Sequence, residues 1–123
     1  MKKILLVDDD VPFAELMQKA LLVFGHEVLL AGSAKQALQL YDPQTVSLVI
    51  TDLIMPDMEG VELIMALRRR HPAVQVIAIS GGGRNVPEAY LRIAHRLGAV
   101  KTLAKPFPLE TLRAAVQECL AAA

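Results

Sequence analysis

Short apolar runs alternate along the chain with amphipathic segments, and that alternation predicts the secondary structure. Residues 3–7, 27–31, 46–51, 74–79 and 99–103 read as strands. The third and fourth, "VSLVIT" and "VQVIAI", are rich in β-branched side chains. Helical patterns fill the intervals. Residues 11–24 have Asp10 as an N-cap and Pro12 in the first turn, and Gly25 ends them. Ser33 caps a second helix reaching about Tyr41, before Pro43. A third, 59–70, follows the turn "MPDMEG" and stops before Pro72. Asn85 caps a fourth, with Pro87 in its first turn and its end near Gly98. Pro108 opens a fifth, in which Leu109, Leu112, Val116 and Leu120 line one face.

Five strand–helix repeats imply a parallel sheet, because parallel neighbours need a crossover helix and crossovers are right-handed. The fold class expected is therefore α/β: a (βα)5 flavodoxin-like doubly wound sandwich, with a five-stranded parallel sheet ordered 2-1-3-4-5. The 123 residues suit one domain, 1–123, with no linker, repeat or low-complexity segment. The ending "CLAAA" after the fifth helix leads us to expect no attached output domain.

Composition agrees. Hydrophobic residues make up 54% of the chain and aromatics 4%, with no Trp, which describes the aliphatic core of a sheet buried on both faces. The formal net charge is zero, with 13 basic and 13 acidic side chains, so there is no electrostatic footprint for nucleic acid or anionic lipid. A single cysteine, Cys119, allows no internal disulfide and points to a reducing compartment. "MKKILLVDDD" starts like a signal peptide, but its apolar stretch is short and meets carboxylates at once. No apolar run approaches the roughly 18 residues of a membrane span. A cytoplasmic protein is expected.

Ligands of open α/β sheets bind beyond the carboxyl ends of the strands, near the switch in strand order, here between strands one and three. Strand one runs into Asp8, Asp9 and Asp10, and strand three into Thr51 and Asp52. Strand four runs into Ser80 and three glycines, and strand five into Lys105-Pro106. Acids about 4 Å apart repel by roughly 4 kcal/mol at an effective dielectric of 20. A cluster of Asp8, Asp9 and Asp52 would thus recruit cations, and Mg²⁺, which takes oxygen ligands from a few carboxylates, waters and phosphate, suits it. Lys105 adds a further positive charge. One neutralised carboxylate can then act as a nucleophile toward a phosphoryl group, with Ser80 donating to an equatorial oxygen.

These residues resemble the receiver domain of bacterial two-component response regulators. The resemblance covers the whole chain and rests on "ILLVDDD", "VITDLIMPDMEG", "AIS" and "LAKPF", in that order and each at a strand end. It implies that Asp52 is the phosphoacceptor, taking its group from a sensor histidine kinase or a histidine phosphotransfer protein. Asp8 and Asp9 match the metal-binding acidic pair, and the backbone carbonyl of Ile54 would complete the protein ligands to Mg²⁺ (or Mn²⁺). Ser80 matches the hydroxyl position, and Lys105 the lysine, with a cis bond to Pro106. The implied output is docking of a downstream protein effector on the fourth helix, fifth strand and fifth helix, and the resemblance also allows a phosphorylation-dependent dimer. The chemistry implied is self-modification, not turnover of an external substrate.

Two positions depart from the family pattern. Thr102 stands where an aromatic switch residue is common, and Ser80 precedes Gly81, Gly82 and Gly83, so this loop is expected to be mobile until Ser80 engages phosphate. Among plainer readings, Asp10 is a helix cap and not a metal ligand. Asp57 and Glu59 shape a turn, and Met55, Met58 and Met65 pack. "RRRH", Arg68 to His71, is a solvated helix end. His26, His71 and His95 lack ligand spacing, and Tyr90 is either buried or part of a partner surface. A dinucleotide site is disfavoured, since acids follow strand one where glycines belong. Two other functions compete with the switch: a phosphate-relay intermediate, and an interaction module of the same fold that works without phosphate.

Overall fold

The computed structural model describes residues 3–53, 60–80, 92, 95–96 and 99–121. It contains β1 (Lys3–Val7), α1 (Val11–Val23), β2 (Glu27–Ala31), α2 (Ala34–Leu40), β3 (Val46–Asp52), α3 (Gly60–Arg70), β4 (Val76–Ser80), β5 (Ala99–Ala104) and a C-terminal helix (Leu109–Ala121). The five strands are all parallel and ordered β2-β1-β3-β4-β5, as the sequence leads one to expect. No described helix is long and apolar enough to cross a membrane.

Each central strand sends alternate side chains to opposite faces, and both faces are covered. Leu5, Val7, Val49, Val76 and Ala78 meet α2 and α3 through Ala34, Ala37, Ile64 and Leu67. Ile4, Leu6, Ile50, Ile77 and Ile79 meet α1 and the C-terminal helix through Met17, Leu21, Leu112 and Val116. Each such aliphatic side chain contributes about 1.5–3 kcal/mol when fully buried. The free thiol of Cys119 lies in the second layer, where burial pushes its pKa up.

The helix ends follow their capping signals. Asp10 accepts from the Phe13 N–H at 3.2 Å and Ser33 from the Gln36 N–H at 3.1 Å. Gly25, at φ 95°, donates to the Leu22 carbonyl while His26 donates to that of Leu21, the Schellman pattern that only a left-handed residue completes.

Four expectations shift. β4 begins at Val76 and includes Ser80, because the Val74 N–H closes a turn onto the His71 carbonyl at 3.0 Å. Met65 is 42% exposed on α3, so it does not pack in the core. On the C-terminal helix the buried stripe is Leu112, Ala115, Val116 and Cys119, whereas Leu109 is 46% exposed. Finally, "RRRH" does more than meet solvent: Arg70 donates to the Leu38 carbonyl at 2.6 Å, and Tyr41 shares a 2.9 Å hydrogen bond with His71, so the end of α3 fastens α2. Asp57, Glu59, Met55, Met58, Gly81 to Gly83, Asn85, Pro87 and Tyr90 lie outside the described residues. Of the fourth expected helix, Arg92, His95 and Arg96 are described, and all three are helical and exposed.

Candidate functional site

Parallel register, not proximity in sequence, assembles the polar cluster. Val7 is level with Thr51, Asp52 with Ile79, and Ser80 with Ala104. Asp8, Asp52, Ser80 and Lys105 therefore leave the carboxyl edge of the sheet within two residues of one another along the strand direction. A carboxylate oxygen from each of Asp8, Asp9 and Asp52 can be chosen so that all lie within 4.8 Å of one another. Asp8, Asp52 and Ser80 are buried and Asp9 is half-buried.

Lys105 reaches into this group. Its ammonium lies 3.2 Å from Asp8 Oδ2 and 3.8 Å from Asp52 Oδ2, with the side chain only 9% exposed. Its own N–H donates to the Ser80 carbonyl at 2.7 Å, which ties the exit of β5 to the end of β4. The Lys105–Pro106 bond is cis, as the resemblance implied. Asp8 is held by more than charge, since its Oδ1 accepts from the Asp10 N–H at 2.9 Å.

Magnitudes indicate what the site can hold. At an effective dielectric of about 20, each carboxylate pair repels by about 3–4 kcal/mol, and Lys105 attracts Asp8 and Asp52 by about 5 and 4 kcal/mol. Attraction and repulsion are thus comparable, but burying these ions still costs several kcal/mol each. Three carboxylates and one ammonium also leave a formal charge of about −2. A hard divalent cation with oxygen ligands fits both that charge and that donor set. Ile54, whose carbonyl the family resemblance adds to the set, lies outside the described residues.

Asp10 stands apart from this group. Its side chain accepts from Phe13 and caps α1, as expected. We expect Asp10→Ala to cost about 1 kcal/mol of stability in urea unfolding. The affinity for Mg²⁺, measured by calorimetry, should change by less than about threefold, since a ligand's grip depends on the groups that touch it and Asp10 supplies no oxygen to the cluster. A loss of binding as large as that of Asp9→Ala would place Asp10 among the ligands.

Three residues at the site carry no obvious signal in the chain. The buried Thr51 hydroxyl donates to the Asp52 carbonyl at 2.9 Å. Gly60 packs against that same carbonyl: a Cβ on it would overlap the Asp52 oxygen and come 2.7 Å from Leu53 Cα. Phe13 places its ring face 4.0 Å from the Lys105 ammonium. Thr51 is marked only by its polar place at the end of the third strand, and Gly60 by being a glycine at the opening of a helix, where another residue would form helix more readily.

Known proteins similar to this chain are of one kind. The model of the response regulator receiver domain matches residues 4–117. The response regulator protein FleR of Pseudomonas aeruginosa is 38% identical over 110 residues, covering 89% of this chain but 23% of its own length. A probable chemotaxis protein CheY of Rhizobium etli is 34% identical over 119 residues, 94% of this chain and 89% of its own. The chain thus spans about a quarter of the one relative and most of the other. Among solved structures, a response regulator receiver domain protein from Clostridium thermocellum superposes with a TM-score of 0.91 at 27% identity, covering 98% of this chain and 95% of its own.

Proposed function

This chain belongs to the response regulator receiver domain family, signalling modules of two-component systems, and from that membership we propose that it is a phosphorylation-controlled switch with Asp52 as its phosphoacceptor. The observation that carries the proposal is the convergence of Asp8, Asp9 and Asp52 within 4.8 Å, with Lys105 on two of the three. We read residues 1–123 as a single receiver domain acting in the cytoplasm.

The reaction follows from the residues. An oxygen of Asp52 attacks the phosphorus of a phosphohistidine on a sensor kinase or phosphotransfer protein. The P–N bond breaks, its electron pair stays on the imidazole nitrogen, and an acyl phosphate forms on Asp52. A divalent cation held by Asp8, Asp9 and Asp52, with the Ile54 carbonyl, would neutralise charge on the transferring oxygens. Lys105 supplies a buried positive charge to the same oxygens, and the Ser80 hydroxyl, at the end of β4, donates to one of them. The new charge then biases the β4 exit and the surface that continues through β5 into the C-terminal helix. There a groove of about 460 Å³, lined by Lys101, Leu103, Glu110, Thr111, Ala114 and Glu118, offers a downstream protein effector a mixed polar and apolar face.

The test is chemical. Incubation with acetyl phosphate and Mg²⁺ is expected to add the mass of one phosphoryl group, and reduction of the acyl phosphate with borohydride followed by peptide mapping should place it on Asp52. Uptake mapped to Asp8, Asp9 or a histidine would overturn the assignment.

A further inference from the structure

The ammonium of Lys105 is held by more than its two carboxylates. Phe13, in the first turn of α1, presents its ring face to Nζ at 4.0 Å from the centroid. That ring is fixed in turn. The Phe13 N–H is bound by the Asp10 cap at 3.2 Å, and Phe107 meets the ring edge-on, with centroids 6.3 Å apart and planes at 90°. Phe107 lies two residues beyond Lys105, so one ring comes from the start of α1 and its brace from the exit of β5.

We infer that Phe13 is a positioning residue that fixes the Lys105 ammonium over the carboxylates and so sets the rate at which Asp52 is phosphorylated. The inference rests on Asp52 being the acceptor. A lysine head group rides on a flexible four-carbon stem and carries three rotatable donors. Something must confine it without consuming those donors. A further carboxylate would confine it but would deepen the negative charge that an incoming phosphoryl dianion has to meet. An aromatic face attracts the cation without accepting a directed hydrogen bond, so the N–H groups stay available to oxygens of Asp8, Asp52 or phosphate. Because that attraction has little angular preference, the ammonium can turn from a carboxylate to a phosphoryl oxygen and remain over the ring. The third aspartate of the acidic run joins the same device: by binding the Phe13 N–H, Asp10 anchors the turn that carries the ring.

The test compares the wild-type protein with Phe13→Leu, Phe13→Met and Phe13→Tyr. The first readout is the NMR shift of the Lys105 ε-methylene protons, which a ring at this distance moves upfield. The second is the rate of phosphoryl uptake from acetyl phosphate with Mg²⁺. We expect the leucine and methionine variants to lose the upfield shift and to be phosphorylated about three- to tenfold more slowly, within the range a cation–π contact supports. Phe13→Tyr keeps the ring and should retain both properties. A wild-type spectrum without the upfield shift would overturn the inference even if no variant folds. So would a variant that loses the shift yet keeps the wild-type rate. A wild-type protein that takes up no phosphoryl group would instead overturn the reading of Asp52, and the rate-setting role with it, which separates the two failures.

Discussion

Asp52→Asn is expected to abolish phosphoryl uptake and, at the same time, to stabilise the metal-free protein by about 1–2 kcal/mol. The two effects share one cause. Asp52 is a buried carboxylate that meets Asp8 and Asp9 within 4.8 Å, and its ion pair with Lys105, at 3.8 Å, is longer than the one Asp8 makes. At an effective dielectric of about 20, two repulsions of about 3–4 kcal/mol disappear against one attraction of about 4. The cost of dehydrating the carboxylate also vanishes, while the amide keeps nearly the same shape. The surplus is largely spent in solvent and side-chain relaxation, hence the modest figure. Sites assembled for chemistry often carry such a cost in stability. Urea unfolding in the presence of a chelator measures one half of the prediction, and intact mass after acetyl phosphate treatment the other. Added Mg²⁺ should stabilise the wild-type protein more than the variant, because a ligand that binds only the folded state stabilises in proportion to its affinity. A variant less stable than wild type would mean that the Lys105 pair outweighs the repulsion.

The second large effect belongs to a residue without a functional group. Gly60→Ala should destabilise the protein by about 3 kcal/mol, within the upper range for overpacking a tight site. For a chain of this size that lowers the melting temperature by about 10–15 °C. The added methyl group would occupy the space of the Asp52 carbonyl oxygen and crowd Leu53 Cα, and both are backbone atoms that no rotamer change can clear. The segment has little room to retreat. The Leu53 N–H is bound to the Ile79 carbonyl at 3.0 Å, the Gly60 N–H to the Leu53 carbonyl at 2.8 Å, and the Asp52 carbonyl to the Thr51 hydroxyl. Relief must therefore come from moving α3 away from the end of β3, which shifts Asp52 itself. Phosphorylation of the folded fraction should slow about tenfold or more, since sub-ångström displacement of a nucleophile is costly. Calorimetry gives the first quantity and initial uptake rates the second. An alanine variant with wild-type stability would show that this close approach relaxes freely.

Much of this molecule is legible in its chain, and the reasons are local. Among the described residues, strand and helix boundaries fall within one or two residues of the hydrophobic periodicity, because each strand is short and punctuated by Pro, Gly or a cap. Asp10 and Ser33 act as caps because a cap needs only a backbone N–H three residues on. The sheet order follows from repeated βα units and the handedness of crossovers. Even the site was visible in outline, as polar residues placed after each of four apolar runs. Met65 and Leu109 are more exposed than their spacing suggests, because helical spacing defines a face but not its width. Which apolar positions at its edges stay wet depends on what packs opposite.

The elements, their parallel order and the set of side chains at the sheet's edge are written in the chain. Those depend on neighbours a few residues apart and on chain connectivity. How that set is joined depends on the packed fold. Asp8 and Lys105, 97 residues apart, meet at 3.2 Å because β1, β3, β4 and β5 lie in one register. Phe13 comes over that lysine, and Gly60 comes against the Asp52 carbonyl, because α1 and α3 pack on opposite faces of the sheet. Such contacts depend on how close two packed elements come, a distance that no periodicity along the chain encodes.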